Sequence, residues 1–512
     1  MKRFFGIVYI IGFTLFSGWM ESAMVQAQGI HSTSSNMALG GGGGAYMKGY
    51  HANFINPANL MLPDRDKHIT IGVLGGIRTA AGGGLLNISL YNEHFTQGRV
   101  IDREAALQIT DEWFSSGTSG EHLGADLSVV PAGLSIRKDS YAMSSAIRLR
   151  TALTARSSQG FFNLMLTGLD PAVFSDSERV NMGAEYVAFA EWSFGYARQV
   201  WENREEFQPG TQRIYAGIAP KLLFGFGYAE MRTRSDLQVT GGEDALIEHQ
   251  FEYSIHSIGA LTEELQDYYH DRRIMDNRDA VLSDYLDQPF SDVAKIQGFG
   301  LGFDLGATFE WYMRDIELPV IGSGPQILRA SFSVTDLGHI RFADNAETFK
   351  ASDSFLWEGL SVDFDYINEE YDEFSDYFEF VMEDSIGSDV YGNFHPEEAS
   401  SHRVGLNPVV NLGGALTMGK LDLLMDIGKG FNNRGINSRR MYVSLGSEYR
   451  IVQIIPVRAG MRIGGYSSMN LSFGTGINLD SFEFSVGLMT TPSSRRSGAS
   501  YAAAWSGFIM RF

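Results

Sequence analysis

The chain has 512 residues, no cysteine and a formal net charge of −21, so it cannot contain a disulfide, a cysteine-ligated zinc site or a thiol nucleophile. Its acidity argues against a nucleic-acid partner, because such binding depends on neutralising phosphates with Lys and Arg. The 58 glycines and 12% aromatic residues are typical of strands that alternate between two environments.

The first 27 residues are predicted to be a secretory signal peptide. Lys2 and Arg3 precede an apolar run from Phe4 to about Trp19, and Val25-Gln26-Ala27 forms a cleavage box, so the predicted signal is 1–27. No later apolar run has the ~20 residues that a membrane helix needs. The exported chain is therefore expected to be either a membrane β-barrel or a soluble β protein.

The segment 28–62 is rich in small residues. It contains five consecutive glycines, Gly40–Gly44, followed by Asn56-Pro57-Ala58, where Asn before Pro favours a turn. Glycine packs little and costs conformational entropy, so this run favours a segment that threads a confined space or must flex. An ordinary linker followed by a turn is the alternative.

Beyond residue 62, apolar and polar residues alternate with a period of two, which indicates strands with two different environments. Leu423 and Met425, for example, fall on one face of their strand, and Asp422 and Asp426 on the other. We predict strands at 68–79, 84–92, 124–137, 141–156, 183–200, 212–232, 297–315, 326–343, 402–414, 419–430, 440–451, 457–466, 468–479, 481–490 and 499–511.

These strands predict an all-β fold, a closed antiparallel transmembrane β-barrel over 63–512. Closure is expected because open sheet edges are not viable in hydrocarbon. Fifteen strands is an odd number and bacterial barrels normally have an even one, so about fourteen strands are expected, within a range of roughly 12 to 16.

Four long insertions interrupt the strands, at 93–123, 157–182, 233–296 and 344–401. Each follows an even-numbered strand in this count, so all four should lie at the same end of the barrel. Helical spacing is found at 102–114, 158–169, 262–286 and 368–386. The stretch 351–402 has many Asp and Glu residues and no Lys or Arg. Its carboxylates suit Ca²⁺, but the residue order of a calcium loop is missing, so a solvated acidic face is favoured over the alternative of a calcium site.

The chain contains no recognisable catalytic motif. Gly300, Gly302 and Gly306 superficially resemble a dinucleotide-binding loop, but strand-like residues follow them instead of a helix. Charges on predicted lumen faces are most simply paired or hydrated wall residues, as at Arg148, Arg150, Asp422 and Glu448. We therefore predict that the protein is not an enzyme and has no catalytic residue and no cofactor.

The final residues read as a strand with one apolar face. Phe508, Met510 and Phe512 share that face and are expected to contact lipid. A terminal aromatic residue resembles the signal read by the outer-membrane assembly machinery. We therefore predict these three residues as a barrel-assembly signal and that machinery as a partner.

The start of the chain resembles the long-chain fatty acid transporter (FadL-type) superfamily of outer-membrane barrels. It has a small-residue leader, then Asn-Pro-Ala-x-Leu at 56–60, and then a first strand. The segments 333–342, 421–436 and 455–465 resemble a branch of that superfamily that is a domain-of-unknown-function family. The resemblance implies a fourteen-stranded barrel whose lumen is plugged by the amino-terminal segment, here 28–62. The predicted plug residues are Gly40, Gly44, Asn56, Pro57 and Ala58.

Two functional hypotheses follow, both with the protein in the outer membrane. In the first, the barrel binds or passes hydrophobic small molecules, because the resemblance implies such cargo; its partners are outer-membrane lipid and an unidentified apolar ligand. In the second, it is a scaffold or secretion-associated barrel whose insertions bind other proteins. The first is the leading hypothesis. The large helical and acidic insertions, which a simple channel would not need, are the reason to keep the second as the alternative.

Overall fold

The computed structural model describes residues 33–512 with eleven internal gaps. The gaps are 65–66, 97–100, 116–121, 205–206, 242–245, 276, 278–284, 286–294, 358–394, 466 and 494–497. The predicted signal peptide and the predicted acidic helix at 368–386 both lie outside the described residues.

Strands make up most of the described chain. They are β1 (Ile69–Gly83), β2 (His122–Arg137), β3 (Tyr141–Ser157), β4 (Glu178–Arg179), β5 (Met182–Glu202), β6 (Gln212–Thr240), β7 (Leu246–Ser257), β8 (Gly298–Leu318), β9 (Gly322–Phe342), β10 (Glu347–Trp357), β11 (His395–Glu398), β12 (His402–Gly405), β13 (Val409–Met418), β14 (Leu421–Gly430), β15 (Met441–Val452), β16 (Ile455–Gly464), β17 (Ser467–Asn478), β18 (Phe482–Thr490) and β19 (Ala499–Arg511).

The helices are short. They are α1 (Ser34–Ala38), α2 (Ile88–His94), α3 (Arg103–Phe114), α4 (Gln159–Thr167) and α5 (Gly259–Tyr269), with 3-10 turns at Gly49–Phe54 and Pro57–Met61 and a π turn at His270–Ile274. Within the described ranges, no helix is long and apolar enough to cross a membrane.

Fourteen antiparallel strands close into a barrel, which confirms the predicted fold class. The barrel strands are β1, β2, β3, β5, β6, β8, β9, β12 continued by β13, and β14 to β19. Closure occurs at β1, where Thr70 lies opposite Ser135 of β2 on one side and Arg511 of β19 on the other. Each of the fourteen barrel strands is thereby paired on both sides, as a lipid environment requires.

The predicted strand at 84–92 is wrong, and its removal reduces the count from fifteen to fourteen. The chain leaves β1 at Gly83, and the Asn87 side chain accepts a hydrogen bond from Leu90 N at 3.2 Å, which caps the start of helix α2. Leu90 then packs against Ile109 and Trp113 of α3. The apolar residues of this segment therefore serve a helix–helix contact and not a strand face.

The four long insertions all leave the same end of the barrel. They follow β1, β3, β6 and β9, which are the first, third, fifth and seventh barrel strands, and neighbouring strands run in opposite directions. The sequence count placed the insertions after even-numbered strands, because it included a strand at 84–92 that the structure does not contain. This end, called the insertion end below, lies opposite the start of β1 and the end of β19.

Three of the insertions contain strands that the sequence count did not include, namely β4 in 157–182, β7 in 233–296, and β10 and β11 in 344–401. Strand β6 continues to Thr240, where it pairs with β7, and β7 pairs in turn with β10, which carries β11 at its other edge. Helix α5 packs on this outlying sheet through Leu265 against Phe349. The alternation of β7 places Glu248, Gln250 and Glu252 on one face and Ile247, Phe251 and Ile255 on the other, so a period of two is present in a segment that the sequence count treated as part of an insertion.

The barrel is polar inside and apolar outside. Phe299, Leu301 and Leu488 are 62%, 66% and 61% exposed, whereas Lys221 and Asp304 are at most 1% exposed. Strand β14 shows the same alternation, with Leu423 and Met425 exposed and Asp422 and Asp426 buried. Apolar side chains gain from removal from water, so an exposed apolar band around a charged interior indicates a barrel surrounded by lipid.

We expect a charge on the outer face to destabilise the barrel in a bilayer. Phe332 lies at the middle of β9, opposite Leu412, and both side chains are exposed. Phe332→Arg should lower the free energy of unfolding by about 2–4 kcal/mol, the cost of a basic residue at the bilayer midplane. The measurement is equilibrium unfolding in liposomes.

The matched control is Ile274→Arg, at an exposed residue of the π turn outside the barrel. This variant should unfold like the wild type. An equal loss of stability for both variants, or for neither, would contradict the membrane placement of the outer face.

Candidate functional site: the barrel lumen

Residues 33–62 contact strands around most of the barrel and are almost all buried. Helix α1 contacts β16 to β19, the 3-10 turn 49–54 contacts β1, β2, β3, β5 and β6, and the turn 57–61 contacts β5, β6 and β8. Met37, Tyr50 and Asn59 are each at most 1% exposed. We call residues 33–62 the lumen segment.

The glycine run lies against the wall where no side chain would fit. A Cβ on Gly40 would lie 2.7 Å from Met461 O, and Gly40 has φ of +80°. Gly40 N donates to Ser472 Oγ at 2.9 Å. Close backbone approach and left-handed geometry therefore account for glycine at this position.

A buried carboxylate holds the other end of the glycine run. Asp426 of β14 accepts hydrogen bonds from Gly43 N through Oδ2 and from Gly44 N through Oδ1, both at 2.8 Å. Asn411 Nδ2 donates to the same Oδ1 at 2.9 Å. Hydrogen bonds to a charged group contribute about 1.5–3 kcal/mol, so Asp426 is a strong anchor for the segment.

The Asn-Pro-Ala motif ties the lumen segment to itself and to β8. Asn56 Oδ1 accepts from Ala58 N at 3.2 Å, and Pro57 begins the 3-10 turn. Asn56 Nδ2 lies 2.9 Å from both Gly44 O and Thr308 Oγ1. The structure thus brings Gly44, Asn56, Pro57 and Ala58 together, while Gly40 lies against β16 and β17.

Tyr50 occupies a notch that three wall glycines create. Cβ atoms on Gly72, Gly75 and Gly133 would lie 2.0–2.2 Å from the Tyr50 side chain. The register of β1 shifts beside the notch, where Leu74 adopts φ of +49°. Sequence analysis missed this contact, because only the fold brings Tyr50 to these glycines.

A network of charged side chains lies beside Phe54 of the lumen segment. Lys221 Nζ lies 2.8 Å from both Asp304 Oδ2 and Asp336 Oδ1, and Arg150 lies 2.7 Å from Asp336. Arg148 pairs with Glu191 and lies 4.3 Å above the Phe54 ring.

The other two predicted wall charges are also paired. Asp422 pairs with Arg450 and Glu448 with Arg458, both at 2.8 Å. The prediction that lumen charges are paired wall residues is confirmed for all four named positions. In the described part of the chain, no group of three His, Asp or Glu residues is placed to hold a metal ion.

The connection 431–440 between β14 and β15 bends across the lumen at the insertion end, and we call it the lumen cap. Arg434 pairs with Glu185 at 2.6 Å, and Gly435 N donates to Thr154 Oγ1 at 2.6 Å. Gly435 O lies 2.9 Å from His122 Nε2. These contacts join the cap to β2, β3 and β5 across the barrel, and sequence analysis did not identify them.

Two small cavities lie near the lumen cap. Their volumes are about 20 and 30 Å³, enough for roughly one or two waters each. The lining of the first is partly apolar and partly charged. Its apolar residues include Val187, Phe189, Ile340, Val404 and Leu406, and its charged residues are Arg78, Asp126, Arg150 and Arg434.

The predicted assembly residues lie on the outer face of β19. Phe508 and Phe512 are 48% and 60% exposed, and Met510 is partly exposed. The alternation reverses near Phe508, which has φ of +52°, because the register against β18 shifts there. Their role in assembly stays a prediction.

The sequence matches the model of a family of unknown function, DUF5723, over residues 57–488. The chain belongs to this family. No characterised protein in a curated set matches the sequence.

Similar solved structures are FadL-type transporters. The P. putida toluene transporter TodX has 10% identity and a TM-score of 0.41, with 94% of this chain and 98% of that chain covered. The Ralstonia pickettii toluene transporter TbuX has 11% identity and a TM-score of 0.42, with 94% and 98% covered. A Pseudomonas aeruginosa FadL homologue has 11% identity and a TM-score of 0.40, with 94% and 100% covered.

At these identities and TM-scores the matches identify no ligand and no functional residue, so the functional interpretation depends on the contacts of this chain.

We expect Gly306 to be essential for seating the lumen segment. A Cβ at Gly306 would lie 1.9 Å from Asn56 Oδ1, so Gly306→Ala should displace the Asn-Pro-Ala turn from β8. Amide hydrogen exchange over 44–62 should then rise at least tenfold, equivalent to about 1.4 kcal/mol.

Gly405→Ala is the control, because a Cβ there meets nothing within 4 Å. Exchange over 44–62 should not change in this variant. Unchanged exchange in Gly306→Ala would show that the turn is not held by its approach to β8.

Proposed function

We propose that this protein is an outer-membrane barrel that binds small hydrophobic molecules in its lumen and passes them across the membrane. In this proposal the lumen segment is a plug on the path and the lumen cap covers its entrance. The observation that carries the proposal is a buried apolar patch beneath the cap, which is separate from the apolar contacts of the lumen segment.

The patch is larger than the cavity that it lines. Val187, Phe189, Leu223, Ile340 and Leu406 are buried together with neighbouring apolar residues of β3, β6 and β9. Barrel interiors are polar by default, and the wall itself does not require this patch. Contiguous apolar surface beside a few convergent polar groups is typical of small-molecule sites. The patch therefore supports an apolar ligand.

The width of the barrel supports a plug. An eight-stranded barrel is already filled by its own side chains, whereas fourteen strands enclose more space. Residues 33–62 occupy part of that space through contacts with strands on most sides. An unfilled lumen of this width would leak solutes. A segment that blocks the lumen and moves only when a ligand passes would prevent that leak.

The insertion end is proposed to face the outside of the cell. Barrels in this membrane have short periplasmic turns and long extracellular loops, and all four long insertions leave one end. The apolar patch lies toward that end, since Ile340 is two residues from the end of β9 and Val187 is near the start of β5. A ligand would then reach the patch before the plug.

We expect Ile340→Asn to weaken binding of an apolar fluorescent probe to the purified protein by about tenfold. Ile340 is 1% exposed and lines the cavity, so a polar amide there removes apolar contact worth roughly 1.5 kcal/mol or more. Probe titration in detergent measures the effect.

Ile340→Leu keeps the volume and polarity and should bind within about twofold of wild type. If the wild-type protein binds no apolar probe, or if Ile340→Asn and Ile340→Leu bind the probe with the same affinity, the proposed ligand site is wrong.

We also expect deletion of residues 30–55 to raise the permeability of liposomes to small solutes. The deletion removes the anchor to Asp426 and the Tyr50 contact but leaves every barrel strand intact. Solute-efflux rates from liposomes of equal protein content provide the measurement, and a heat-dependent gel shift verifies assembly. An assembled deletion variant with wild-type permeability would show that the lumen segment is not a plug.

A protein-binding scaffold is the second candidate. The insertions fold into an outlying sheet with α5 and a separate cluster in which Leu90, Ile109 and Trp113 join α2 to α3. Tyr91 and Phe95 remain 53% and 38% exposed at that cluster. Ordered structure with exposed aromatic residues favours a surface for a partner. If the protein binds no apolar ligand, the scaffold function replaces transport as the proposal.

A further inference from the structure

Two arginines lie directly opposite one another on the outer face of the barrel. Arg341 of β9 is the register partner of Arg403 of β12, and both are exposed. On its other side, Arg341 lies opposite Phe299 of β8, which is 62% exposed. We call Arg341 and Arg403 the arginine pair.

The arginine pair lies at the edge of the apolar band. Along β8 the outward apolar residues begin at Phe299 and continue to about Trp311. Those ~12 residues rise about 3.3 Å each along a strand tilted by roughly 40°, which gives a band about 30 Å tall. Arg341, level with Phe299, therefore lies at the depth of the lipid headgroups on the insertion end.

The pair has no acidic neighbour within ion-pair distance among the described residues. Arg341 Nε donates to Ser401 Oγ at 2.7 Å, and Arg403 Nη2 donates to His339 Nδ1 at 3.2 Å. A guanidinium carries five N–H donors, so these neutral contacts use only part of the donor set. Like charges directly opposite on neighbouring strands repel each other and destabilise the sheet. An anion bound between the two guanidinium groups would replace this repulsion with attraction.

We propose that the arginine pair binds the phosphate of an anionic lipid headgroup in the leaflet at the insertion end. Guanidinium groups bind phosphate oxygens in bidentate geometry, and two of them can share one phosphate. The apolar residues beside the pair, Phe299 and Leu301, contact the upper part of the acyl chains. The positive charge of the pair and its depth in the membrane therefore both favour a lipid phosphate as the ligand.

Other outward cations provide a comparison. Lys429 lies opposite Val410 and Met441, and Arg198 lies opposite Tyr141 and Ala216. Each is exposed and has an uncharged residue on both neighbouring strands. A single cation of this kind can extend its charged end into water. Among the outward cations of the described strands, two like charges lie opposite one another only in the arginine pair.

The test uses the full-length protein in detergent, titrated with phosphatidic acid or with phosphatidylcholine of the same chain length. Native mass spectrometry counts bound lipids. Wild-type protein should prefer phosphatidic acid. The double variant Arg341→Gln with Arg403→Gln should bind it about 30-fold more weakly, which corresponds to about 2 kcal/mol for two basic residues near a membrane surface.

Lys429→Gln with Arg198→Gln removes the same charge from isolated outward positions and is the matched control. It should keep phosphatidic acid affinity within about threefold of wild type. An equal loss in both double variants would show only a general charge effect and would overturn the proposal.

Two further outcomes would also overturn it. One is a wild-type protein without preference for phosphatidic acid over phosphatidylcholine, a comparison that needs no variant to fold. The other is inorganic phosphate at millimolar concentration displacing the lipid completely, since the pair would then be a site for free phosphate.

Discussion

The pairing of β1 with β19 is the interaction on which the rest of this structure depends. In hydrocarbon an unpaired backbone N–H or C=O costs several kcal/mol, so a sheet is stable there only when its first and last strands meet. The closing pair runs from Thr70 opposite Arg511 to Gly83 opposite Ala499. Arg511 also pairs with Asp64 at 2.5 Å, which joins the closing strand to the residues that precede β1.

Closure reverses the usual arrangement of a protein core. Lipid accepts the apolar side chains, so the polar ones are gathered into a confined lumen where each charge needs a partner. The network around Lys221 and Asp336 satisfies this need between strands that are distant in sequence. Phe54 and Asn56 of the lumen segment contact the same wall, so the charges of the barrel and the position of the segment are coupled.

The lumen segment and the lumen cap both contact the inner wall of the barrel, and a small amphipathic space lies near the cap. The lumen segment meets Asp426 and β8 in the interior, and the cap contacts Thr154 and Glu185 at the insertion end. The lumen segment also packs on the wall through apolar side chains such as Tyr50, Phe54 and Leu60, whereas none of the described residues of the patch between β5 and β9 belongs to that segment. A ligand that competes for the patch need not disrupt the barrel wall, because the wall is held by its own backbone pairing.

The sequence by itself determined the barrel, its polar and apolar faces and the turn at Asn56, because a two-residue period and a capping side chain are local properties. It misassigned 84–92, where the short apolar pattern suits either a strand or a helix and only the contact of Leu90 with α3 decides between them. The notch at Tyr50, the anchor at Asp426 and the lumen cap were decided by tertiary structure. Each joins residues far apart in the chain, and their contact depends on strand register and barrel closure, which no local pattern encodes.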